Sequence, residues 1–247
     1  MRPARRRDQA GRRNAARPFV FLNAAMSADG KLAPATRQYQ PFGSPRDTAL
    51  LHELRARADA VLCGARTADL YPVVLGNGGP RYERLRARRR LAPHPLRVIV
   101  SGSGSISPKA EVFRHRFSPI LILTTRRVPA ARLRRLKKLA DAVVVAGSRE
   151  IDFPKALRKL HANWKVKRLL CEGGGQVNEA LFRAGLVDEV FVTVCPLILG
   201  GRSAPTLADG RGFRSLSAAA RLERVSMRRS GAELFLRYRV VRKTSNP

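Results

Sequence analysis

The order of apolar and polar positions divides the chain into short apolar runs separated by stretches with helical spacing. The segments 60-AVLCG, 96-LRVIVS, 120-ILILTT, 142-AVVVAG and 168-RLLCE are near-continuous β-branched or aliphatic runs of strand length. Between them, 46-RDTALLHELRARA places Leu50, Leu51, Leu54 and Ala58 at helical spacing. The segments 129-PAARLRRLKKLA and 154-PKALRKLHANW each open with proline at a first helical position. Strands apolar on both faces, alternating with amphipathic helices, predict an α/β fold with a mostly parallel sheet covered on both sides. The run 18-PFVFLNAAMS adds a strand that ends at the turn 29-DGK. After 189 the pattern changes. The segments 189-EVFVTVCPLIL, 221-RLERVSMRRS and 232-AELFLRYRVV alternate more evenly, and 230-SGA is a hairpin-type turn. They predict antiparallel strands closing one edge. No internal repeat or interdomain linker interrupts the pattern, and 73-VVLGNGGP and 201-GRSAPTLADGRGF read as surface loops.

Composition changes this picture in two places. With 247 residues and 44% hydrophobic content the chain can bury a full core, and no apolar run approaches the roughly 20 residues of a membrane helix. The 49 Lys and Arg against 18 Asp and Glu give a net charge of +31, which calls for anionic partners. Part of that charge lies in residues 1–17, where seven arginines face only Asp8; this segment is too poor in apolar residues to pack and is expected to be a disordered basic arm preceding a domain over 18–247. The arginines of 81-RYERLRARRR and 126-RRVPAARLRRLKK are expected on wet helix faces. Aromatics are 6%, with no paired-aromatic RNA signature, so nucleic acid is expected only as a non-specific partner of the basic surface. Cys63, Cys171 and Cys195 sit in apolar runs without metal-ligand spacing and read as buried thiols of a cytoplasmic protein.

The candidate chemistry gathers at 171-CEGGGQVNEALFRAGLVDE. A glutamate and three glycines follow a strand and open a helix with Val177, Ala180 and Leu181 on one face. Glycines at such a junction admit close backbone approach, and a helix N-terminus suits phosphate; a tight turn alone would also use them.

Read with 23-NAAMSADGKLA and 55-RARADAVLCGARTA, this stretch resembles the reductase domain of riboflavin biosynthesis, within the dihydrofolate-reductase-like fold, over residues 18–241. The resemblance implies NADPH-dependent reduction of a ribosylamino-pyrimidine 5′-phosphate to its ribitylamino form, by a cytoplasmic homodimer, with the C-terminal strands as a candidate for its pairing surface. Zinc-deaminase signatures that often accompany the family do not occur in the sequence, so reduction alone is expected. On the cofactor side the resemblance implies backbone contacts from Gly173, Gly174, Gly175, Gln176 and Val177, with Thr67 at the Gly-x-x-Thr turn, Ala25 by the nicotinamide, and Ser101 and Gly102 toward the adenosine. Arg126 and Arg127 are candidates for the 2′-phosphate. On the substrate side it implies Glu172, Asn23 and Asp29, with Arg55 and Ser44 for the phosphate. Two departures stand out: 67-TADLYP is shorter than the family's Val-x-x-Asp-Asp-Pro run, leaving Asp69 as the counterpart of its first Asp and as candidate proton donor, and Tyr39 or Phe42 stands in for an expected Trp. The competing readings are a paralogue acting on another pterin or pyrimidine, and a basic RNA-binding protein on the same scaffold.

Overall fold

A computed structural model describes residues 17–38 and 40–241. The arm expected at 1–17 therefore lies outside the described residues except for Arg17, and Tyr39 also lies outside them. Arg17 is packed. Its guanidinium spans both oxygens of Asp188 at 2.9 Å and also donates to the carbonyls of Pro18 and Leu186.

The elements run β1 (Phe19–Ser27), α1 (Pro45–Arg55), β2 (Ala60–Gly64), α2 (Ala65–Leu70), α3 (Pro80–Ala87), β3 (Leu96–Val100), β4 (Ile120–Thr124), α4 (Ala130–Leu139), β5 (Ala142–Val145), α5 (Phe153–Trp164), β6 (Arg168–Cys171), α6 (Gly175–Arg183), β7 (Glu189–Cys195), β8 (Arg221–Ser230) and β9 (Glu233–Val241). They form one nine-stranded sheet in the order β5-β4-β3-β2-β6-β1-β7-β9-β8. The first seven strands in that order are parallel, and β9 and β8 are antiparallel. The mixed sheet and its antiparallel edge are those the apolar pattern predicts.

The two faces of the sheet carry separate cores. Val20, Leu22, Leu62, Cys171 and Val190 point to one, where α5 contributes Phe153, Ala156, Leu157 and Leu160 at i, i+3, i+4 and i+7. Phe21, Val61, Cys63, Leu170 and Phe191 point to the other, which Leu54 of α1 covers. Strands buried on both sides need apolar residues at every position, which explains the unbroken runs. α5 starts where the Asp152 carboxylate accepts from the Lys155 N–H at 2.9 Å and stops at Lys165 in the left-handed region, φ 55°.

Not every arginine is on a wet face. Arg86 of α3 is 1% exposed, and its guanidinium donates to the carbonyls of Arg55, Ala58 and Ala92 at 2.6–2.7 Å. The carbonyl-rich C-terminal end of α1 is a favourable seat for a cation, and burial pulls the Arg86 pKa down to about 10. Arg97 is likewise buried, donating to the carbonyls of Val112 and Ser118 beneath the Phe117 ring. The expectation of a solvated face for 81–90 is corrected at Arg86.

Candidate active site

The carboxyl ends of β1, β2, β6 and β7 lie together, and the predicted residues converge there. Leu22 is level with Cys171 and Leu62 with Cys171, so Asn23, Glu172 and Cys63 follow side by side. Glu172 and Arg55 meet across 117 positions of sequence. Arg55 Nε and Nη2 each donate to one oxygen of the Glu172 carboxylate at 2.6 Å, and Nη1 donates to the Gly76 carbonyl at 3.0 Å. Both side chains are about 11% exposed. Burial alone would lower the Arg55 pKa, but the charge and hydrogen bonds of Glu172 outweigh it and hold the cation. The same loop packs on His52, one helical turn earlier. Gly78, at φ 90°, lies where a Cβ would collide with the imidazole, which lies tilted against the Tyr82 ring with centroids 5.1 Å apart. Burial, reinforced by Arg55 and opposed by Glu172, pushes His52 below its usual pKa, so it is neutral at neutral pH.

The glycine turn is held against α2. Gly173 and Gly174 both have positive φ (83° and 61°), and the Gly173 carbonyl accepts from the Gly64 N–H at 2.9 Å. A Cβ on Gly174 would lie 3.0 Å from the Thr67 hydroxyl, which places these two predicted residues in contact. Gly174 is also the N-cap of α6 and has no side chain to accept from its first N–H groups. A Cβ on Gly175 would meet the Thr206 carbonyl at 2.6 Å and the Asp209 carboxylate at 2.5 Å, so the 206–209 loop closes over one side. The cradle is open backbone at a helix N-terminus, and it fits a phosphate-bearing cofactor. Gln176 is exposed, and Val177 is half-buried against Gly64. Ser101 is 3% exposed with its hydroxyl unpartnered, and Arg127 lies 3.7 Å from where a Gly102 Cβ would stand.

Other predicted residues have partners that constrain their use. Ser44 caps α1 by accepting from the Arg46 and Asp47 N–H groups, while its own N–H and hydroxyl donate to the two oxygens of Glu233 at 2.7 and 2.5 Å. A carboxylate from β9 therefore already sits at the N-terminus of α1. Asp29 accepts from the Ser27 hydroxyl at 2.5 Å and from the N–H groups of Leu199 and Gly200; the hydroxyl first, then these amides, lower its pKa to about 2. It latches the 197–200 loop to the end of β1. Asp69 is exposed on α2 and accepts from the Ser107 N–H at 2.9 Å, turned toward that loop and not toward the Arg55–Glu172 pair. Sequence reading missed Asp47, Thr193 and Glu233. The only trace was the polar Thr193 within the apolar run 190–194.

Comparisons with known proteins bear on the family and the fold. The model of the RibD C-terminal domain matches residues 18–236. Over 224 residues the chain is 38% identical to the 2,5-diamino-6-ribosylamino-4(3H)-pyrimidinone 5′-phosphate reductase of Methanothermobacter thermautotrophicus, covering 91% of this chain and 99% of that protein. The Aquifex aeolicus protein of the same name is 30% identical over 231 residues, 92% and 98% of the two chains. A pyrimidine reductase-like protein of Corynebacterium diphtheriae superposes with a TM-score of 0.74 at 26% identity, over 92% and 93% of the chains. The nine-stranded fold and the match across 18–236 lead to one conclusion: this chain belongs to the RibD C-terminal domain family of dihydrofolate-reductase-like reductases.

Proposed function

We propose that the protein reduces a ribosylamino-pyrimidine 5′-phosphate to the ribitylamino form in riboflavin biosynthesis, with NADPH as reductant. The observation that carries this reading is the Glu172 carboxylate, fixed by Arg55 directly before a glycine turn that Thr67 braces. Similarity to the two pyrimidinone phosphate reductases supports the substrate class.

Bound NADPH would supply hydride to the C1 imine of the ring-opened sugar. Gly173–Gly175 and the first turn of α6 would hold its phosphates, Ala25 would line the nicotinamide, and Arg126 and Arg127 would meet a 2′-phosphate. Glu172 would face the substrate and stabilise positive charge at the imine carbon, with Arg55 orienting it. Asn23, beside Glu172 on β1, would contact the same substrate. The three buried thiols suit a reducing cytoplasm. The outward hairpin β8–β9, with Leu222, Val225 and Met227 exposed, would pair two copies as a homodimer.

The decisive measurement is NADPH oxidation with the deaminated and undeaminated ribosylamino-pyrimidine phosphates side by side. One of them should turn over, and NADPH should bind more tightly than NADH because a guanidinium meets the 2′-phosphate as a bidentate donor. Turnover of neither would sink the substrate reading, and equal affinity for the two cofactors would remove Arg126 and Arg127 from it.

A further inference from the structure

Beneath α1, three buried polar atoms have no hydrogen-bond partner among the described residues: Asn23 Oδ1, Asp47 Oδ1 and Thr193 Oγ1. Thr193 is fully buried and Asn23 is 9% exposed, so bulk water does not satisfy them. Such groups are few in native proteins, and each calls for a partner such as a ligand or an ordered water. The sheet register gives that place. Asn23 follows the Leu22–Cys171 pair and so adjoins Glu172, while Thr193 lies directly across from Ala25. The Asp47 carboxyl comes within reach of the Thr193 hydroxyl without a well-aligned bond.

We propose that Asp47 is the acid that protonates the substrate nitrogen during the reduction. This rests on the reductase reading above, and on Ala25 marking where hydride is delivered. The electron balance is simple. Hydride from the reduced nicotinamide bonds to the imine carbon, the C=N π pair moves to nitrogen, and the Asp47 proton bonds there; solvent then reprotonates the carboxylate.

The surroundings select Asp47 over its neighbours. Glu172 has both carboxylate oxygens occupied by donors of Arg55. His52 is neutral and Asp69 turns away. Asp47 faces Glu233 from β9, Thr193 and Cys195 from β7 and the Gly43–Ser44 turn, while the nearest cation on its helix, Arg46, pairs outward with Glu53. Burial, opposed by the Thr193 hydroxyl and supported by the Glu233 charge, raises its pKa, so the proton is retained to higher pH than on an exposed aspartate. Glu233 itself takes two donors from Ser44 at the start of α1.

The test uses the full chain with Asp47→Asn and Glu233→Gln. Asp47→Asn keeps the shape; its kcat should fall by about 10²-fold with NADPH affinity unchanged, and the alkaline decline of the wild-type pH profile should vanish. Glu233→Gln removes the charge that holds the proton, so the alkaline decline should move to lower pH. In the ligand-free wild type, difference infrared spectra followed through a pH titration should show a carboxyl band that persists to higher pH than that of an exposed aspartate and that Asp47→Asn lacks. Wild-type-like kcat and pH profile in Asp47→Asn would overturn the proposal, as would loss of that band at the pH of an exposed aspartate. If the wild type itself reduces neither substrate, the reductase reading has failed, and the infrared band still decides whether Asp47 holds its proton.

Discussion

At the scale of single residues, Glu172 and Gly174 are two positions apart and should fail in different ways. Gly174 is at φ 61° with the Thr67 hydroxyl 3.0 Å from a would-be Cβ, so Gly174→Val adds a branched side chain in a strained backbone region. NADPH affinity measured by fluorescence should weaken by about 2 kcal/mol or more, roughly thirtyfold in Kd. Glu172→Gln leaves that turn intact and should bind NADPH as the wild type does, while kcat/KM falls by about 10² because the charge facing the imine is gone. Free turnover by Glu172→Gln would reduce the glutamate to a partner of Arg55. Both residues were singled out in the sequence because the glycines and the glutamate are adjacent in it. Asp47 and Glu233 were not, since they come from a helix and a hairpin 186 positions apart, joined only when β9 pairs with β7. Arg86 was hidden for a different reason. An arginine that caps carbonyls at a helix end has the same sequence spacing as one in water.

At the scale of elements, the strands were the readable part: runs apolar on both faces cannot be solvated, and β2 to β6 lie where those runs are. The short helix α2 was read only as a Gly-x-x-Thr turn, because six residues give no periodicity to count. The chain entry to β1 was also misjudged. Composition placed Arg17 in a disordered arm, whereas one aspartate at Asp188, invisible in composition, fastens it. Deleting 1–16 should therefore leave melting temperature and activity unchanged. Replacing Arg17 by alanine as well takes away the guanidinium spanning both Asp188 oxygens, and should lower stability by about 1–3 kcal/mol, a Tm loss of roughly 5 °C. Equal Tm for the two proteins would show that the pair contributes nothing.

At the scale of the whole molecule, the sheet has two unlike edges. The β5 edge is short, four residues, whereas β8 presents ten residues that are exposed almost throughout, with Met227 55% exposed. A long exposed edge with apolar side chains is what a second copy would cover. Met227→Asp should shift sedimentation toward monomer while leaving the fold intact by circular dichroism. An unchanged sedimentation coefficient would show that the hairpin is not the contact. The basic excess bears on a different observable: binding to RNA, where present, should disappear at high salt, as expected for phosphate contacts without base readout.

The hairpin has a second consequence through Glu233. Its β8 strand faces outward, yet the first residue of β9 reaches inward to Ser44 and sets the charge beside Asp47. Were the hairpin the contact between copies and Asp47 the acid, surface and chemistry would be thermodynamically linked: any event that shifts the hairpin would alter how tightly a proton is held some distance from it, and by reciprocity the proton would alter that event. Self-association should then depend on pH over the same range as catalysis, and dilution of the protein should move the alkaline limb of its activity.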